Sequence, residues 1–189
     1  MAGMMRVFVA LDLPEGMVAP LLRLQAGLPL GRAVPEENLH LTLAFLGEVA
    51  QGTAEAVAEG LEAARLPAVA LALTGLELFG GHRPNGHGPN LLAARAGGAG
   101  LEALHAKVMR AAREAGAVLP RRRFRPHVTI ARLPRALGPK EVGRLQAFVT
   151  LNGRFALPPE PAPTVTLYRS HLSHEGAQYE ALASFALSG

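Results

Sequence analysis

Two short segments of this 189-residue chain repeat one another, and the repeat limits what the chain can build. His40-Leu41-Thr42-Leu43 and His127-Val128-Thr129-Ile130 share the form His-apolar-Thr-apolar, one in each half of the sequence. With seven histidines and seven threonines in the chain, chance supplies two such matches on the order of a few times in a thousand. In a strand, side chains at i and i+2 share a face. Each motif therefore presents an imidazole and a hydroxyl side by side, while Leu41 and Leu43, or Val128 and Ile130, anchor the other face in apolar core. Two such strands facing one cleft would surround a small anion with two imidazoles and two hydroxyls.

The rest of the pattern supplies a frame for those strands. Arg6–Leu11, Leu39–Phe45, Ala68–Phe79, Asn90–Arg95, His127–Ala131, Thr164–Leu172 and Ala177–Leu187 read as strands from their β-branched, aromatic and alternating apolar residues. Helical spacing marks a segment after Pro14 (Val18, Leu21, Leu22, Leu28, interrupted by Pro20) and Thr53–Leu66, with Thr53 as its cap. It also marks Leu101–Ala115 and a segment through Val142, Leu145 and Phe148. Asn85-Gly86 signals a hairpin, and Leu157–Pro163 reads as a Pro-rich connection. Strands and helices mix without regular βαβ alternation, which predicts an α+β fold with antiparallel sheet, and the length suits one domain over 1–189.

Composition removes competing chemistries. There is no cysteine, so there is no thiolate nucleophile, disulfide or Cys-ligated metal. Of the 15 acidic residues only Asp12 is aspartate, which leaves the Asp-rich magnesium sites of nucleotide enzymes without their usual ligands. Histidine is what remains for acid–base work near neutral pH. Two histidines can serve an in-line displacement at phosphorus, one taking a proton from the entering oxygen and the other giving one to the leaving oxygen. The threonine hydroxyls would donate to the non-bridging oxygens. No metal is needed, and nothing like H-E-x-x-H occurs. The half-repeats look alike, so the residues alone do not say which histidine donates. No apolar stretch reaches the roughly 20 residues of a membrane span, and the reading is of a cytoplasmic protein.

With its flanking sequences, the chain resembles the two-histidine (2H) phosphoesterases, in particular their RNA 2′,3′-cyclic phosphodiesterase (2′-5′ RNA ligase) branch. The segments that carry the resemblance are Arg6–Pro14, Asn38–Gly47, Arg125–Arg132, Leu167–Ser170, Gly176 and Tyr179. It implies a bilobal fold of two pseudo-symmetric halves, each with an antiparallel sheet and outer helices, around a central cleft holding the paired HXTX motifs. It implies His40 as proton donor and His127 as proton acceptor, with Thr42, Thr129 and Arg132 holding the phosphate. Strict alternation would put Arg132 on the face opposite His127, so the strand is expected to end or bend near Ala131, where Leu133-Pro134 follows. The implied reaction opens an RNA 2′,3′-cyclic phosphate, for example on a tRNA fragment, to a 2′-phosphate, with 2′-5′ ligation as its reverse. No cofactor and no obligate protein partner are implied.

Simpler readings stand beside these. His105 reads as a boundary residue of its helix, His82 and His87 as loop residues, and His171 and His174 as residues near the last turn. The arginines at 121, 122, 123 and 125 read either as a solvated loop or as a basic rim that attracts RNA. Phe8, Phe45 and Tyr168 read as core or as base-stacking surfaces. The rival functions are a 2H phosphoesterase for small cyclic nucleotides or 2′-5′ oligonucleotides, and an RNA-binding module without turnover.

Overall fold

The computed structural model describes residues 3–80, 89–121, 123–173 and 176–188. Among these residues, nine strands and four helices follow the order β1 (Met4–Asp12), α1 (Glu15–Ala26), β2 (Arg32–Ala33), β3 (His40–Ala50), α2 (Gln51–Ala63), β4 (Ala70–Phe79), β5 (Leu91–Gly97), α3 (Leu101–Glu114), β6 (His127–Arg132), α4 (Pro139–Leu151), β7 (Ala156–Pro161), β8 (Thr164–Ser173) and β9 (Gly176–Ala186). A 3-10 turn at Glu36–Asn38 leads into β3. This is the expected α+β class.

Among the described residues the strand pairings within the sheet are antiparallel, and the order β7-β4-β5-β6-β3-β1-β8-β9 reads as two four-stranded halves joined at β6 and β3, with β2 on β6. The two motif strands are thus the innermost strand of each half. Between them the register holds through one pair, Leu41 with Val128. Beneath lies a continuous core that includes Val7, Val9, Leu11, Leu41, Leu43, Leu92, Leu104, Val128 and Ile130. Helix α1 packs on β6, α2 on β1, β3 and β9, and α3 on α2 and β3.

Several local expectations change. Helix α1 runs through Pro20, giving up the bond its N–H would have made, and buries Met17, Leu21 and Leu24 rather than Val18 and Leu22. Helix α2 starts at Gln51, two residues before Thr53, and no side chain caps it. Strand β3 continues past Phe45 to Ala50. The Pro-rich segment forms edge strand β7 on β4, where a missing donor on the outer side breaks no ladder. The Asn85-Gly86 hairpin, His82, His87, Arg122 and His174 lie outside the described residues.

The bend expected in β6 is a β-bulge, and the strand does not end at Ala131. Opposite β5, Leu92 pairs with Ala131 and Ala93 with Thr129, so Ile130 is the extra residue. Both Ile130 and Ala131 are buried, and the alternation resumes one residue late with Arg132 exposed. Strand β3 does the same at the same motif position: Val9 pairs with Ala44 and Ala10 with Thr42, leaving Leu43 as the extra residue. Leu43 and Ala44 are buried and Phe45 is exposed. The shared offset makes Phe45 the counterpart of Arg132 in the other half.

Candidate active site

The antiparallel register through Leu41 and Val128 fixes how the motifs meet. Continued by one residue either way, it sets His40 across from Thr129 and Thr42 across from His127. Side chains directly opposite one another in a sheet lie on one face. The imidazoles occupy one diagonal of a rectangle and the hydroxyls the other. The bulge at Ile130 brings Arg132 back to this face, and its backbone is held by partners outside the ladder. The Ile130 carbonyl accepts from the Val34 N–H at 2.9 Å and from Gln25 Nε2 at 2.8 Å. Gln25 Nε2 also donates to the Val34 carbonyl at 2.8 Å, so one side chain on α1 ties the bulge to the segment after β2.

A cavity of about 380 Å³ opens over this face. His40, Thr42, Thr129 and Arg132 line it, with Arg6, Arg32, Phe45, Ser170, Gly176 and Tyr179 around them. His127 stands beside the cavity rather than in its lining. It is near enough that its charge opposes protonation of His40.

The two imidazoles are held alike. His40 Nδ1 donates to the Asn38 carbonyl at 2.8 Å, and His127 Nδ1 donates to the Arg125 carbonyl at 2.7 Å. A carbonyl can only accept, so each Nδ1 carries a proton and each Nε2 is left for proton transfer. His40 Nε2 lies 3.0 Å from Thr42 Oγ1, which donates to it while the ring is neutral. Asn38 is itself clamped, since its Nδ2 donates to the Ala177 carbonyl on β9 at 2.9 Å.

Their surroundings differ. His40 packs among Phe8 (centroids 5.0 Å apart), Tyr179 (5.4 Å, edge-on) and Tyr168 (6.4 Å). Burial lowers its pKa from 6.5 to about 4, against the opposing pull of the Asn38 carbonyl and Asp12; Arg132 and His127 lower it further. Asp12, the register partner of His40 on β1, accepts from Thr164 and Thr166 at 2.6 Å each and from Tyr168 at 2.8 Å. The lone aspartate is thus a bracket behind His40. Burial and then the bond to Asp12 push the Tyr168 hydroxyl up to about 12, so it stays a donor. His127 instead lies against Phe79, at 4.4 Å.

The stacking candidates now separate. Phe8 is core at 4% exposure, and Tyr168 is committed to Asp12. Phe45 is 43% exposed, lines the cavity and carries the Arg6 guanidinium 4.6 Å from its ring centre. Gly176 has φ 131°, a conformation that L side chains rarely adopt, and a Cβ there would meet the end of the Arg32 side chain. His105 stacks on Phe124 at 3.7 Å and His171 bonds Glu180 at 2.8 Å, so both are structural. Among the described residues no group of three or more His, Asp or Glu could hold a metal ion. No helix among them is long and apolar enough to cross a membrane.

Sequence reading gave no role to Asn38, Gln25, Arg6 or Arg32. Asn38 had a signal, because it stands two residues before His40 in the segment that carries the family resemblance. Arg6 and Arg32 reach the cavity from β1 and β2, and Gln25 acts from α1 on the bulge backbone.

A family profile described as "LigT like Phosphoesterase" matches residues 11–87. A Thermus thermophilus relative named RNA 2′,3′-cyclic phosphodiesterase is 34% identical over 98% of this chain and 91% of its own length. A relative of the same name from Geobacillus stearothermophilus is 33% identical over 87% of this chain, which spans only 50% of that longer protein. Among solved structures, E. coli LigT complexed with 3′-AMP superposes with a TM-score of 0.65 at 26% identity, covering 98% of this chain and 99% of that one.

Proposed function

The chain belongs to the LigT-like phosphoesterase family, and from that membership we propose that it hydrolyses RNA 2′,3′-cyclic phosphate ends to 2′-phosphates by two-histidine catalysis. The observation that carries the proposal is the rectangle of His40, Thr129, His127 and Thr42 across β3 and β6, with Arg132 turned onto the same face. It gathers two proton-transfer groups, two hydroxyl donors and an arginine, which is what an in-line displacement on a phosphate anion uses.

In this reading the cyclic phosphate sits over Thr42, Thr129 and Arg132. His127 Nε2 takes a proton from water as its oxygen bonds to phosphorus. The bond from phosphorus to the 3′ oxygen breaks, and His40 Nε2 delivers a proton to that oxygen. The 2′-phosphate and a free 3′-hydroxyl remain. The donor role asks His40 to hold a proton that its burial opposes, and the bound anion offsets that opposition. Thr42 exchanges its bond to neutral His40 for one to phosphate. The base lies on Phe45 beside Arg6. With a 5′-hydroxyl in place of water as the entering group, the same steps give 2′-5′ ligation. In this reading the substrates are RNA ends such as those of tRNA fragments in the cytoplasm, and the proton transfers are assigned to the two histidines without a metal or cofactor.

The test is an RNA oligonucleotide ending in 2′,3′-cyclic phosphate, incubated with the protein in EDTA. Conversion to a 2′-phosphate end, abolished in His40→Ala, is expected. An unchanged end group with excess protein would overturn the proposal. Binding without conversion would mark an RNA-binding module instead.

A further inference from the structure

A second groove, of about 360 Å³, opens beside Phe79, the ring that packs on His127. It is lined by Glu77 and Phe79 of β4, Arg95 of β5, and Arg123, Phe124 and Arg125 of the segment before β6. Arg95 is the register partner of His127, so the two share the face on which the motifs meet. Phe79 touches both His127, at 4.4 Å, and Arg125, whose guanidinium lies 4.5 Å from its ring centre. Arg125 also pairs with Glu77, and Arg95 Nε donates to the Thr74 carbonyl at 3.1 Å. Phe124 is stacked on His105 through one face. Three arginines against one glutamate leave the groove positively charged.

We propose that this groove is the entering-group subsite, holding an RNA strand with a free 5′-hydroxyl so that its 5′ oxygen reaches phosphorus from the side of His127. The inference rests on the functional reading above, in which His127 is the proton acceptor. The first cavity is lined from β1, β3, β8 and β9 and, through Thr129 and Arg132, from β6, whereas this groove is lined from β4, β5 and the segment before β6. The sheet order makes β5 the counterpart of β1 and β4 the counterpart of β8. In-line displacement keeps entering and leaving groups on opposite sides of phosphorus, and here each side has its own recess. Hydrolysis needs room only for water on the entering side. An arginine-lined groove fits a polyanion there, since guanidinium forks bind phosphates and present flat faces to bases.

The step balances. The 5′ oxygen bonds to phosphorus and loses its proton to His127, while the bond to the 3′ oxygen breaks and that oxygen takes a proton from His40. A 2′-5′ diester and a 3′-hydroxyl result, and neither ATP nor an oxidant is consumed.

The experiment reads ligation and hydrolysis in one tube, with a cyclic-phosphate oligonucleotide as donor and a 5′-hydroxyl oligonucleotide as acceptor, for the parent and Arg123→Glu. Arg123 is exposed. The ratio of ligated to hydrolysed product is expected to fall about tenfold, the loss typical of one charge-assisted phosphate contact. A general loss of activity would lower both products and leave the ratio alone. An unchanged ratio overturns the inference, as does hydrolysis by the parent with no ligation at any acceptor concentration. A variant whose KM rises for a cyclic-phosphate oligonucleotide but not for a cyclic mononucleotide would assign the groove to the donor's own upstream chain, which also overturns it. If the parent converts no ends at all, the functional reading fails instead. Anisotropy of a labelled 5′-hydroxyl oligonucleotide then decides the groove alone: binding weakened by Arg123→Glu supports it, and equal binding overturns it.

Discussion

Protonating His40 in the free protein is opposed by its surroundings, and the opposition can be sized. A fall from 6.5 to about 4 leaves the ring neutral at pH 7, with about one molecule in a thousand charged. Charging it costs about 3 kcal/mol more than charging an exposed histidine. An anion about 4 Å from the ring returns about 4 kcal/mol at the effective dielectric of a partly open site. The two are close enough that a bound anion brings His40 back to titrate near neutrality. The assay follows the His40 ring by NMR across pH, assigned with His40→Gln, in the free protein and in saturating sulfate, whose charge is constant over the range. A midpoint near 4 is expected without sulfate, and one at least two units higher with it. A free midpoint near 6.5 would refute the burial argument. A midpoint that does not move, while Thr42 and Thr129 amide shifts register sulfate, would refute the donor role. The same shift affects stability with a definite sign. The folded value lies below the unfolded one, so the unfolded chain binds the extra proton between them. Stability is full above about pH 6.5 and declines as pH falls toward about 4, a decline that His40→Gln lacks.

Two further outcomes follow from the supports of the site. Gln25→Leu removes the donor that ties the bulge at Ile130 to Val34, and should lower the urea-unfolding stability by about 1–3 kcal/mol and reduce turnover through Arg132. A variant as stable and active as the parent would show that the bulge holds itself. Phe45→Ala should raise KM for a cyclic-phosphate RNA by the equivalent of about 1–3 kcal/mol of lost stacking while leaving sulfate affinity in place. Equal KM values would remove Phe45 from the binding surface.

The motif spacing made the two imidazoles and two hydroxyls legible, because a two-residue period is a local property of a strand. It even exposed a conflict at Arg132, whose resolution lay in the sequence unread. Leu43-Ala44 and Ile130-Ala131 each put two apolar residues in succession, and each pair marks a bulge. The supports were less visible for a different reason. Asp12 meets Thr164, Thr166 and Tyr168 across more than 150 positions, and Gln25 meets Ile130 across 105, so no local pattern announces either. Thr53 failed as a cap because β3 runs directly into α2 through Ala50, leaving no loop for a cap to close.

The seam between the halves has a mechanical consequence. Along β1 and β3 the ladder persists from Met4 and Ala50 to Asp12 and His40, and β8 and β9 stay zipped from Thr164 and Ala186 to Ser173 and Gly176. Between β3 and β6 it shrinks to Leu41 and Val128. The sheet is therefore most compliant directly beneath the reacting atoms. Any rocking of one half against the other appears first as a change in the separation of the two imidazoles. Each imidazole is anchored through its Nδ1 to its own half and so travels with it as a rigid piece. The span between proton donor and acceptor is therefore set at the place where the sheet has its fewest ladder bonds.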